Sequence, residues 1–231
     1  MIVEVCASNY ESAIAAVNGR ADRIEHCAEL EVGGLTPPEN LVEKVISEID
    51  LPVHVLVRPR AGNFVYTSDE IDQMIRTISI CKKLGCDGIV SGILTAENNI
   101  DVSQTKLLVE ASEGLHFTFH RAFDYCIDPM TAIDQLIEMG VNTLLTSGQR
   151  QTAVTGLSVL KQLKAQGKDK IVIMPGAGIN DDNALLFIEA GFEAIHLSAI
   201  NKSDSQFTSL MEGVSGISDQ QMIQNIVAMT R

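Results

Sequence analysis

The chain reads as a single (β/α)8 barrel of the TIM type, on three observations. Short apolar strands and amphipathic helices alternate along the chain with no long linker or break in composition, which argues for one parallel α/β domain. Eight strand–helix pairs can be marked, a number that favours a closed barrel. Polar and charged residues collect on one face of several strands, near their C-terminal ends, where such barrels carry their sites. A doubly wound open sheet is the alternative, but no G-x-G-x-x-G follows the first strand.

Taken in order, the strands are expected at 2–6, 23–27, 53–58, 88–92, 116–120, 143–146, 171–174 and 194–197. Side chains alternate with a period of two. Glu4 and Cys6 therefore share a face opposite Val3 and Val5, and Glu25 and Cys27 share the next. His54, Leu56, Arg58 and Arg60 alternate with Val53, Val55 and Val57; His116, Thr118 and His120 alternate with Phe117 and Phe119; His196 and Ser198 alternate with Ile195 and Leu197. The apolar faces suit a covering layer of helices.

Helix signals fill the gaps. Ser8 and Glu11 form a capping box for a first helix that stops near Gly19. Thr36, Pro37 and Glu39 set up a cap, a first-turn proline and an N3 acid before a helix over 41–49. Thr67 and Glu70 open a third that stops at Gly85; Asp101 and Gln104 a fourth that ends near Gly114; Asp128 and Pro129 a fifth that ends at Gly140. A sixth covers 153–166, and a seventh runs over 181–191 behind an Asn180 cap. The domain is expected to span 1–231, with an irregular loop over 201–217 after the eighth strand and a C-terminal helix over 218–231, opened by Ser218 and Gln221. The loops over 28–36, 59–67 and 198–217 are long enough to serve as lids.

Composition narrows the function classes. The chain has 231 residues, 45% hydrophobic and 20% charged, with a net charge of −13. That balance argues against nucleic acid and against anionic membrane surfaces. No apolar run reaches the roughly 18 residues of a membrane span, and the first residues read as a strand rather than a signal peptide, so a cytoplasmic setting is expected. Five scattered cysteines do not suggest a disulfide framework. No lysine falls at an expected strand C-terminus, which disfavours a Schiff-base aldolase.

Several constellations can carry chemistry. Arg58, Arg60 and Arg121 lie at strand ends, with Asp124 beside them; they suit recognition of an anion, or an internal ion-pair network in which Glu4 or Glu25 holds Arg58. Ser147 and Gly148 follow the sixth strand, and Gly176 and Gly178 the seventh, where backbone N–H groups often meet phosphate or carboxylate. Ser198 closes the eighth strand on the same side. Glu4, Glu25, His120 and His196 form a candidate acid/base or hard-metal cluster, with Glu25, His120 and His196 as the candidate catalytic groups. His26 and His54 read as packing residues. Cys6 and Cys27, on adjacent strands, put two thiols in reach of each other, which suits either close packing or a soft ion such as Cu(I).

Six segments, ADRIEHCAELEVGGLTPP, VHVLVRPRAGNFVYTSDE, CDGIVSGIL, TFHRAFD, LLTSGQ and MPGAGI, occur in order over 1 to about 199. Together they resemble the CutC family, named for copper homeostasis. Arg58, Arg60, His120, Arg121, Asp124, Ser147, Gly176, Gly178 and His196 fall on its shared motifs. His26 stands where relatives commonly have leucine, and the segment after Ala199 diverges. The resemblance implies a (β/α)8 barrel, a cytoplasmic, self-associating protein, and a proposed role in copper tolerance through Cu(I) binding; the first expectation that follows from it is Cu(I) held through Cys27, with Cys6 as a candidate second ligand. It implies no settled enzymatic activity. The residues themselves support a second expectation, an enzyme or sensor for a small phosphorylated or carboxylated metabolite, with Arg58 and the Gly176 to Gly178 turn holding the anion. The C-terminal helix carries Met222, Ile223, Ile226, Val227 and Met229, an apolar surface broad enough to suggest, with the resemblance, a homodimer or higher homo-oligomer.

Overall fold

Period-two alternation builds the barrel as expected. In the computed structural model, which describes residues 1–200 and 215–231, eight parallel strands lie in the order β7-β6-β5-β4-β3-β2-β1-β8. They are β1 (Ile2–Ala7), β2 (Arg23–His26), β3 (Val53–Leu56), β4 (Gly88–Ser91), β5 (His116–Phe119), β6 (Thr143–Thr146), β7 (Val172–Pro175) and β8 (Ala194–Leu197). β7 and β8 pack side by side and nearly close the ring. Val3, Val5, Ile24, Val53 and Val55 face outward into the main core shared with the helices. Smaller apolar groups fill the barrel itself, Cys6, Cys27, Leu56 and Val90 in one cluster and Leu145, Met174 and Ala194 in another.

Among the described residues the α-helices are α1 (Tyr10–Asn18), α2 (Glu39–Glu48), α3 (Ser68–Leu84), α4 (Val102–Ala111), α5 (Pro129–Glu138), α6 (Leu157–Gly167), α7 (Ala184–Glu189) and α8 (Gln220–Thr230). Local capping chemistry sets most of their starts. Thr67 and Glu70 form a complete capping box on α3, and Asp101 and Asp128 cap α4 and α5 through their side chains. Elsewhere a neighbour takes the cap. Asn9, not Ser8, accepts the Ser12 N–H at α1, and Asp219, not Ser218, caps α8. Thr36 does not cap α2 but accepts the Arg58 N–H, tying two loops together. α6 and α7 start several residues later than expected, because turns occupy 151–156 and 181–183.

α8 lays Ile223, Ile226 and Val227 on its own barrel, beside α1, β1 and α7. Met222 packs partly on that core and only Met229 is largely exposed. The broad apolar surface read from its sequence is thus mostly used within the chain. Residues 201–214, which include most of the expected 201–217 loop and lid, lie outside the described residues. No helix among the described residues is long and apolar enough to cross a membrane.

Candidate functional site

Register decides which inward groups meet. Parallel pairing sets Glu4 opposite both Arg23 and His196, and Cys6 opposite Glu25. Glu4, fully buried, accepts from Arg23 Nε at 2.5 Å and pairs with His196 Nδ1 at 2.7 Å. Burial alone would raise its carboxyl, but the His196 hydrogen bond and the Arg23 charge bring it down to about 2. Glu25 is in a different position. Its Oε2 is buried without a hydrogen bond and lies 3.4 Å from His196 Nδ1. Burial, with the Glu4 charge added, pushes it up to about 7. His196, buried between the two carboxylates, is held protonated: burial opposes this, but Glu25, Cys6 and Glu4 outweigh it.

The thiols sit on this cluster. Cys6 Sγ is 3.5 Å from Cys27 Sγ, and one donor atom each from Cys6, Glu25 and His196 lie within 4.8 Å of one another. The contact with Cys27, together with burial, raises the Cys6 thiol well above its ordinary value. Gly34 roofs the pair. A Cβ there would stand 2.8 Å from Leu56 Cδ2 and 3.5 Å from Cys27 Cβ, and its φ of +84° is a left-handed conformation that glycine alone adopts freely.

His54 and His116 form a floor. Their rings stack at 4.9 Å, over Gly88, where a Cβ would meet His54 Cδ2 at 2.6 Å. Burial brings both down to about 4, so both are neutral at pH 7. Arg23 completes the polar core. Sequence reasoning missed it, because it opens its strand at the end away from the expected site; its signal was an arginine on the same face as Glu25.

The arginines do not converge on the cluster. β3 ends at Leu56, and beyond it Arg58 bends into the neighbouring loops. Its Nη1 donates to Val32 O and Gly34 O, its Nη2 to Gly62 O, and its Nε has no partner. Neither Glu4 nor Glu25 holds it. Arg60 pairs with Glu70 at 2.6 Å and donates to Val65 O, shaping the β3–α3 loop from outside. Arg121 pairs with Asp124 at 2.9 Å. Asp124 also accepts from Thr146 Oγ1, Ser147 N and Oγ, and Gln149 N, so it organises the β6–α6 turn.

The remaining candidates spread out. His120 packs edge-on against Phe64 at 5.0 Å rather than joining Glu25 and His196. Burial, with the Arg58 charge, takes it down to about 3. Ala122 N–H donates to its Nδ1, leaving Nε2 buried without a partner. Gly148 N–H donates to Thr146 Oγ1, and Gly176 N–H to Thr146 O, so both are engaged within the fold. Gly178 follows Ala177, both at positive φ, and its carbonyl accepts from Asn183. Ser198 is half-buried, and its carbonyl accepts from Ser218. Phe64 and Tyr66 stand against Arg58 and Arg60. They were missed as well; an aromatic pair inside a loop already carrying two arginines was the available signal.

A family model described as the CutC family matches residues 1–201. A family protein CutC of Pasteurella multocida is 46% identical over 199 residues, covering 86% of this chain and 82% of its own. One of Glaesserella parasuis is 43% identical over 227 residues, covering 98% and 93%. A solved CutC structure from Streptococcus agalactiae superposes with a TM-score of 0.81 at 31% identity, over 87% of this chain and all of that one. The expected barrel and the expected resemblance meet in the same result, and the chain belongs to the CutC family.

Proposed function

We propose that this protein serves copper homeostasis by binding Cu(I) between Cys6 and Cys27, with His196 as a third donor. The carrying observation is the Cys6 to Cys27 sulfur separation of 3.5 Å. Two metal–sulfur bonds of about 2.3 Å span it readily, and thiolate with imidazole is a donor set that favours a soft ion. The Streptococcus agalactiae relative is named for copper homeostasis, which supports the same role here. Five free cysteines, all buried, agree with a reducing, cytoplasmic setting. The ion must displace protons, since Cys6 is held as a thiol and His196 as an imidazolium. Affinity therefore rises with pH. Anaerobic Cu(I) titration against a competing chelator tests the reading. The native protein is expected to bind one equivalent tightly, and Cys6→Ser and Cys27→Ser to lose that site. Equal binding by both variants overturns it.

One observation favours a second reading, an enzyme or sensor for a small anionic metabolite. Glu25 carries a buried unpaired oxygen and is raised to about 7 beside His196, which suits proton transfer near neutral pH. A saturable thermal shift with a phosphorylated or carboxylated metabolite, together with turnover that Glu25→Gln abolishes, supports it. Neither effect across a metabolite screen refutes it.

A further inference from the structure

A cavity of about 570 Å3 opens over the loops that follow β2, β3, β4 and β5, lined by Arg58, Phe64, Val65, Leu94 and Tyr125 among others. That volume is typical of small-molecule sites. Its walls are mostly apolar, and one fixed cation sits in them.

We infer that this cavity binds a small organic monocarboxylate, its carboxylate on Arg58 and its apolar body against Phe64, Val65 and Leu94. The inference names the ligand class of the second reading above and rests on no copper chemistry. Arg58 is only 1% exposed. Its charge meets three backbone carbonyls, which solvate it without neutralising it. Among the described residues, no carboxylate lies within 4.0 Å of it. A buried guanidinium without a counterion is costly, and here it borders an open cavity. Tyr66 Oη is buried beside the guanidinium.

Charge and shape choose the class. One guanidinium balances one carboxylate; a phosphate dianion would leave a net charge against Phe64, Val65 and Leu94. Glu31, exposed at the mouth, would repel a second anionic group. The Gly176 to Gly178 turn, where barrels often take phosphate, does not line this cavity. The predicted anion site thus moves from the end of the seventh strand to the loops after the second to fifth.

Titration calorimetry and thermal shift on the full chain at pH 7.5 test the inference. The probes are 3-phenylpropanoate and 4-methylpentanoate, the corresponding neutral amides, and inorganic phosphate. The acids are expected to bind saturably and raise the melting temperature, with each amide at least about tenfold weaker and phosphate without effect. Arg58→Gln is expected to abolish binding, but it also frees three loop carbonyls. Val65→Trp narrows the cavity without touching Arg58. It is expected to weaken the acids at least about tenfold while melting within a few degrees of the native protein. Amides that bind as well as acids, phosphate that binds better, full binding by Val65→Trp, or no binding of either acid at millimolar concentration each overturn the inference. Binding without chemical change leaves it standing and counts against turnover alone.

Discussion

Glu4→Gln keeps the shape of a fully buried side chain and removes its charge. The carboxylate holds Arg23 at 2.5 Å and His196 at 2.7 Å, with His54 at 3.8 Å. Two routes give the cost. The carboxyl falls from 4.5 to about 2 in the fold, which corresponds to roughly 3–4 kcal/mol. Removing one partner of a buried ion pair costs roughly 3–5 kcal/mol, because the other charge is stranded. Arg23 is that stranded charge, only 7% exposed. For a chain of this size the loss lowers Tm by roughly 7–14 °C. The sign with pH follows from a depressed acid: its stabilisation is complete above 4.5 and is lost as pH falls toward 2. The gap between native protein and variant should therefore be full at pH 7 and narrower below pH 4.5. Calorimetry at several pH values reads both quantities. A loss under about 1 kcal/mol at pH 7, or a gap independent of pH, would refute the account of Glu4 as the charge that holds the polar core together.

Three further outcomes are expected. His54, brought by burial from 6.5 to about 4, contributes stability that is complete above pH 6.5 and lost as pH falls toward 4; His54→Gln should remove about 3 kcal/mol of that acid-dependent loss, read by urea denaturation between pH 7 and 4.5. Gly34→Ala meets Leu56 and adopts an unfavourable φ, so it should destabilise by at least about 1–2 kcal/mol and speed reaction of Cys27 with a thiol reagent; an unchanged reaction rate counts against Gly34 as the roof of the thiols. Self-association, expected from the family, is read by light scattering coupled to size exclusion, where a mass near 25.0 kDa at all micromolar concentrations rules it out.

Alternation alone determined which side chains enter the barrel. Glu4, Cys6, Glu25, Cys27 and His196 are inward because strand sterics impose a period of two, and that is a property of neighbours in sequence. The caps at Thr67, Asp101 and Asp128 are legible for the same reason, since each satisfies N–H groups two or three residues away. At Ser8, Thr36 and Ser218 a side chain of the right type lost the cap to a neighbour or found a partner elsewhere, a competition that spacing does not resolve. Tertiary structure decided who meets whom. Register across strands far apart in the chain joined Glu4 to Arg23 and His196. The end of β3 at Leu56 released Arg58 and Arg60 from the alternation, toward loop carbonyls and Glu70. His120 went to Phe64 rather than to His196 because the loop after β3 folds back over β5. Contacts of this kind depend on interstrand register and loop path, which no local period encodes.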